Sequence, residues 1–165
     1  MTFIKFIALI LGVLTASTAF GSDEGEMAPE LQAKLDNGQS FSVKAQQGKV
    51  ILIHFWATWC DACKLEMPLL NNYYKHHHQE GLQMIGIDMD SGKDESKARE
   101  FMKNYDFQWG KAKEATYKGY GRIWRLPLNF VIDRQGVLRK DGWVLNRAMT
   151  ENDLEETLTP LLKTH

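Results

Sequence analysis

Val50-Ile51-Leu52-Ile53-His54-Phe55-Trp56 is a continuous apolar run holding a single histidine. A run without polar alternation predicts a strand buried on both faces, as in a parallel or mixed sheet covered by helices. Beyond it, Leu65, Leu69, Leu70, Tyr73 and Tyr74 recur at helical spacing. Pro68 falls inside that pattern, removes the bond to the Lys64 carbonyl and predicts a kink. Leu82–Asp88, after Gly81, reads as a second buried strand. Ala98, Phe101, Met102 and Tyr105 form a helical stripe, residues 116–120 a helical turn, and residues 128–133 a third strand. Arg134-Gln135-Gly136 then turns the chain into an antiparallel partner at residues 137–144. Thr150-Glu151-Asn152-Asp153 has the form of a capping box. It opens a closing helix with Leu154, Leu158, Leu161 and Leu162 on its apolar face, which Pro160 ends or bends. Upstream, residues 31–35 and 40–43 flank Asp36-Asn37-Gly38, a strong hairpin signal. The predicted order is hairpin, β, α, β, α, β, β, α, an α/β sandwich with a mixed sheet. No repeat, low-complexity segment or second domain is visible.

The N-terminus obeys neither period. Lys5 is the only charged side chain before Asp23, residues 6–20 are apolar apart from Gly, Ser and Thr, and small residues stand at Ser17, Ala19 and Gly21. A basic start, a short apolar centre and a small-residue cleavage site predict a signal peptide over residues 1–21, cut after Ala19 or Gly21. The alternative is an uncleaved membrane anchor, but a run of about 15 residues falls short of the roughly 20 that span a bilayer. No cysteine lies near enough for a lipid anchor. Residues 22–29, acidic and aperiodic, read as a linker, and residues 30–165 as the folded domain.

Composition narrows the function mainly through cysteine. The net charge of -1 gives no sign of nucleic-acid binding or of a polybasic membrane patch. Export usually predicts structural disulfides, yet the two cysteines, Cys60 and Cys63, are two residues apart. A bridge closing so small a loop restricts the unfolded chain little, so the pair is there for its reactivity. Cys60 follows a strand and opens a helix, where unpaired N–H groups and the helix dipole favour thiolate, the nucleophilic form. Cys63, about one turn on, allows an intrachain disulfide. Cys60 is expected to attack a partner disulfide and Cys63 to resolve the mixed disulfide. Zinc, the competing use of such a pair, needs four ligands, and no second pair exists. The expectation is therefore no metal and no cofactor.

The segment Phe55-Trp56-Ala57-Thr58-Trp59-Cys60-Asp61-Ala62-Cys63-Lys64 resembles the thioredoxin active-site segment. Glu66-Met67-Pro68 resembles the TlpA/ResA-like branch, exported thioredoxins often linked to cytochrome c maturation, and Leu126-Pro127 is similar to the family's cis-proline loop. The likeness runs from about residue 29 to residue 162, with residues 91–120 standing where the branch carries a helical insert. It implies a thioredoxin-like fold, with a mixed central sheet flanked by helices, an N-terminal β-hairpin and that insert. It implies that Trp59 covers the cysteines and helps form the partner surface. Pro127 would be cis against the disulfide, leaving the Leu126 backbone to pair with an extended substrate. Glu66, three residues beyond Cys63, can share its helix face or be a solvated charge. The resemblance implies a partly buried acid that raises a thiol pKa and relays protons.

Two residues depart from the family pattern. His54 stands where thioredoxins usually have a buried Asp and the exported branch often Asn. It is either a core histidine with both ring nitrogens satisfied or a proton relay to Cys63, and burial should keep it neutral with a lowered pKa. Asp61 stands where Pro or Glu is commoner. Beside Cys60 it should oppose thiolate formation and make the pair more reducing. His76-His77-His78 invites a metal assignment, but consecutive helical residues point about 100° apart, which suits a solvated helix end. Trp109, Trp124 and Trp143 either line a partner groove or sit in the core.

Together these features predict an exported, extracytoplasmic or periplasmic dithiol–disulfide exchanger, acting as a monomer and as a reductant. Its partners would be disulfides of other exported proteins, apocytochrome c or a metallochaperone among them. The resemblance implies electrons from a membrane-embedded thiol carrier. The rivals are an oxidase or isomerase on the same fold, a thiol peroxidase, and a metallochaperone or binding module. A peroxidase wants a single peroxidatic Cys in a Thr/Ser-rich pocket, which Cys60 lacks. Copper-binding relatives typically space their cysteines by three residues rather than two.

Overall fold

The computed structural model describes residues 23–92, 94–144 and 148–164. The predicted signal segment lies outside the described residues. The elements are β1 (Gln32–Leu35), β2 (Ser40–Ser42), β3 (Val50–Trp56), α1 (Asp61–His77), β4 (Leu82–Asp88), α2 (Glu95–Met102), β5 (Gln108–Thr116), β6 (Leu128–Ile132), β7 (Leu138–Lys140), α3 (Glu151–Thr157) and α4 (Thr159–Lys163). Among the described residues the strands form one sheet in the order β2-β1-β5-β4-β3-β6-β7. β3 and β5 run parallel to β4, and every other pairing is antiparallel. This is the mixed, helix-flanked sheet of the thioredoxin-like fold.

β3 is an interior strand between β4 and β6, and all seven of its residues are buried. Val50, Leu52 and Trp56 face a cluster that includes Met67 and Leu70 of α1, Leu154, Leu158 and Leu162, and both cysteines. Ile51, Ile53 and Phe55 face the opposite cluster, with Leu31, Phe41, Tyr120 and Phe130. Side chains alternate across a strand, so a strand buried on both faces reads as an unbroken apolar run. His54, an even-numbered residue of β3, therefore looks toward α1.

The main correction concerns residues 91–120, where the resemblance implies a helical insert. Only residues Glu95–Met102 are α-helical there, and β5 follows. It pairs parallel with β4 and antiparallel with β1, joining the hairpin to the rest of the sheet. Its sequence, rich in Lys, Ala and Glu, has little intrinsic strand character; backbone ladders on both sides outweigh that preference. Gly110 marks the close approach: a Cβ there would lie 2.6 Å from the Lys34 carbonyl oxygen. Gly110→Ala should push β1 away from β5 and lower stability by about 1–3 kcal/mol. The midpoint of urea unfolding measures it.

Other boundaries follow local chemistry. α1 runs through Pro68 without interruption. β6 ends before Asp133, whose carboxylate accepts the amides of Gln135 and Val137 at 2.9 Å and shapes the turn. β7 stops at Lys140, short of the expected residue 144, because Asp141 accepts the Trp143 amide at 2.9 Å and turns the chain. Residues 25–28, read as linker, run along β7, with Gly25 N donating to Leu138 O and Leu138 N to Glu26 O, both at 2.8 Å. A three-residue edge strand offers such free groups. The capping box is formed: Thr150 Oγ1 accepts from Asp153 N at 3.3 Å, and Asp153 Oδ2 accepts from Thr150 N at 2.7 Å. The closing helix divides at Leu158, with Pro160 in the first turn of α4, where its missing N–H costs nothing.

Candidate active site

The loop from β3 to α1 turns on a hydrogen bond from Cys60 N to Ala57 O at 3.1 Å. Cys60 is the N-cap of α1, and its Sγ accepts the Cys63 amide at 3.1 Å. The two sulfurs are bonded at 2.06 Å, with Cα atoms 5.2 Å apart. A sulfur at an N-cap meets unpaired amides and the positive end of the helix, which favours its thiolate when reduced. Cys60 is 6% exposed and Cys63 0%, so a partner sulfur reaches Cys60 first.

Behind the cysteines lies a buried polar chain. Glu66, one turn past Cys63, is 2% exposed. Its Oε1 accepts from Asn129 Nδ2 at 2.7 Å and from the Met149 amide at 2.5 Å. With its amide donating to Glu66, Asn129 turns Oδ1 toward His54 Nδ1 at 2.8 Å, so Nδ1 of the neutral ring carries the proton. His54 Nδ1 also stands 3.8 Å from Glu66 Oε2. Burial drives the His54 pKa down to about 4, outweighing the Asn129 bond that acts the other way. His54 Nε2 is buried and meets no hydrogen-bonding protein group among the described residues. The side chains thus link β3, β6 and α1, and the Met149 amide ties in the segment before α3.

The remaining candidates are divided between the surface and the interior, with Pro127 buried. Trp59, beside Cys60, is 64% exposed, and the Leu126–Pro127 peptide bond is cis. Leu126 is half-buried against both core clusters. Two residues before Leu126, Trp124 is exposed and stacks on Trp143 with ring centroids 5.9 Å apart. The Arg125 guanidinium lies 5.2 Å from the Trp143 ring centroid and donates to Trp143 O at 2.6 Å. Trp109 instead packs edge-on against Trp56 in the core cluster. Asp61 points to solvent and pairs with Lys64 at 2.7 Å, which holds its carboxyl below the usual range. That cation offsets part of its influence on Cys60. His76, His77 and His78 turn to three separate partners, Asn72 O, Glu80 and Lys75 O, and share no centre.

Sequence reasoning overlooked Asn129 and Met149. Asn129 carries a usable signal, being the one polar residue of the buried strand Leu128–Ile132. Met149 contributes a backbone amide, which no side-chain pattern announces.

A family model described as the AhpC/TSA family matches residues 25–141. Thiol-disulfide oxidoreductase ResA of Bacillus cereus is 31% identical over 134 residues, covering 80% of this chain and 73% of that protein. Thioredoxin-like protein YneN of Bacillus subtilis (strain 168) is 28% identical over 144 residues, covering 84% and 80%. Among solved structures, a thiol:disulfide interchange protein of the thioredoxin family from Chlorobium tepidum TLS superposes with a TM-score of 0.69 at 22% identity, covering 86% of this chain and 99% of that one. That likeness establishes the fold.

Proposed function

The chain belongs to the AhpC/TSA family and is a thiol–disulfide oxidoreductase of the ResA type, and from that premise we propose that it works outside the cytoplasm as a reductant of disulfides in other exported proteins. The observation that carries this reading is a buried carboxyl group, Glu66, one helical turn from a fully buried Cys63. A carboxylate near a buried thiol disfavours the thiolate, which destabilises the reduced pair and makes it a better electron donor.

In the reduced protein, the Cys60 thiolate attacks one sulfur of the substrate disulfide. The second substrate sulfur leaves as thiolate and takes a proton. Cys63 then loses its proton and attacks Cys60 Sγ, closing the Cys60–Cys63 disulfide and expelling the other substrate sulfur. That sulfur also takes up a proton, so the substrate gains two electrons from the protein and two protons, which balance the one Cys60 gave up on ionising and the one Cys63 loses. The Cys63 proton is released into a dry interior, and Glu66 is the acceptor this reading assigns. His54 backs it through Asn129 and keeps an unprotonated Nε2 above about pH 4. Trp59 and the Leu126-Pro127 loop form the docking face for an extended substrate segment. A membrane thiol carrier returns the electrons, the N-terminal segment directs export, and the class of substrate includes apocytochrome c. Among the described residues no helix is long and apolar enough to cross a membrane.

Equilibration with defined thiol couples tests the direction. The wild type should poise near the thioredoxin value of about -270 mV, and Glu66→Gln should move it upward by about 30 mV, a tenfold change in the equilibrium constant. Gln keeps an acceptor for Asn129 and Met149 and cannot ionise. A wild-type potential near about -120 mV would make the protein an oxidant.

A further inference from the structure

Asp88 and Asp90 stand where β4 ends, outside the roles assigned so far. β4 runs parallel to β3, with Asp88 opposite Trp56, the last residue of β3. Met89 N donates to Trp56 O at 2.8 Å, so the chain after β4 continues over the loop that leads to Cys60. There Asp90 Oδ2 accepts the Thr58 amide at 2.9 Å. Asp90 N donates in turn to Asp88 Oδ1 at 2.9 Å. The turn Ala57-Thr58-Trp59-Cys60 is thus closed by its own Cys60–Ala57 bond and fastened from outside by one carboxylate.

We propose that Asp90 is a positioning residue for Cys60: its carboxylate fixes the turn that sets the sulfur at the head of α1, and the adjoining Asp88 carboxyl steadies it by sharing a proton with it. The inference rests on dithiol chemistry alone and holds whichever way electrons flow.

The proton has a structural reason. Asp90 Oδ1 is buried, and among the described residues no protein donor reaches it. The Asp88 and Asp90 side chains lie within hydrogen-bonding reach of each other, and a neutral Asp88 carboxyl is the donor this proposal assigns to the Asp90 carboxylate. Burial is the largest cause pushing the Asp88 pKa up, to about 7; the facing Asp90 carboxyl adds to it, while the Asp90 amide and Lys111 oppose it. Charges on the neighbouring elements leave this balance in place. Lys111 lies opposite Asp88 on β5. Lys97 on α2 is paired with Asp94 at 2.7 Å and feels Asp90 at longer range. His54, on the same face of β3, is neutral above about pH 4. Above about pH 7 two like charges face each other, the bond between them is lost, and Asp90 holds Thr58 less firmly.

Alkylation of Cys60 by iodoacetamide in the fully reduced chain, followed by mass spectrometry from pH 5 to 9, reads the effect without any substrate. Asp90→Ala should slow Cys60 alkylation at pH 7 about tenfold, equivalent to one unit of thiol acidity. Asp90→Asn keeps an acceptor for Thr58 and should stay within about twofold of wild type. Asp88→Asn, which donates at every pH, should remove an inflection near pH 7 that the wild type carries on top of the thiol titration. Equal rates in wild type, Asp90→Ala and Asp90→Asn overturn the positioning role, as does equal slowing in both variants. An inflection that survives Asp88→Asn overturns the shared proton. Hydrogen exchange at the Thr58 amide of the oxidised wild type gives a check that needs no variant. Its protection should fall as pH rises through about 7, and protection independent of pH overturns the proposal.

Discussion

Cys60→Ser should reduce insulin disulfide reduction to the uncatalysed rate, whereas Cys63→Ala should leave the first attack intact and stop the cycle at the mixed disulfide. The asymmetry follows from the site. Cys60 caps α1 and keeps a sliver of exposed surface; Cys63 has none. A thiolate at Cys60 has an amide donor in Cys63 N–H and can meet an incoming disulfide. Removing Cys63 Sγ keeps that backbone amide and takes away only the resolving sulfur, so the partner remains covalently attached. In extracts, Cys63→Ala should give adducts through Cys60 that dissolve on reduction and identify the partners by mass spectrometry. Cys60→Ala, which retains Cys63, should give none, because a partner sulfur cannot reach a fully buried thiol. Comparable adducts from both variants would reverse the assignment of attacker and resolver.

How far the sequence disclosed this site depends on how local each part is. The cysteine pair is two residues apart and its helix starts on the spot, so spacing alone revealed it. Val50–Trp56 and Leu82–Asp88 were legible to the residue, since burial on both faces makes each a mostly apolar run with few polar positions. β5 was not, because its stability comes from pairing with strands remote in sequence and its own residues favour a helix. Glu66 could be placed on the cysteine side of α1. The partners that make it a network come from β6 and from the residue before the last capping box, and only the closed fold brings them to it. The link from Asp90 to Thr58 spans 32 residues and forms only because β3 and β4 run parallel. His54 was read correctly as neutral. The strand opposite offers its ring one side-chain acceptor, Asn129 Oδ1, which reaches Nδ1 and could be placed only once β3 and β6 were paired.

The lowered pKa of His54 and the raised pKa of Asp88 set up opposed responses of stability to pH. As pH falls below 6.5 the unfolded histidine takes up a proton that the folded one refuses until about pH 4. Stability from His54 is therefore present above pH 6.5 and lost across that window, on the order of 3 kcal/mol in all. Asp88 acts in reverse. Its folded carboxyl keeps a proton up to about pH 7, while the unfolded one gives it up near 3.8. Its contribution is complete below pH 3.8 and disappears as pH rises through about 7. Between pH 4 and 6.5 the two slopes oppose each other within a single wild-type curve. His54→Asn should unmask Asp88, so that stability relative to wild type falls steadily as pH rises through this range. Asp88→Asn should unmask His54, so that relative stability rises with pH over the same range. Asn suits both positions, offering a neutral donor to Asn129 in one and to Asp90 in the other. Urea unfolding of the oxidised proteins at about pH 4, 5.5 and 7 measures the slopes. Slopes of the same sign in the two variants would mean that at least one of these groups is charged where the fold makes it neutral.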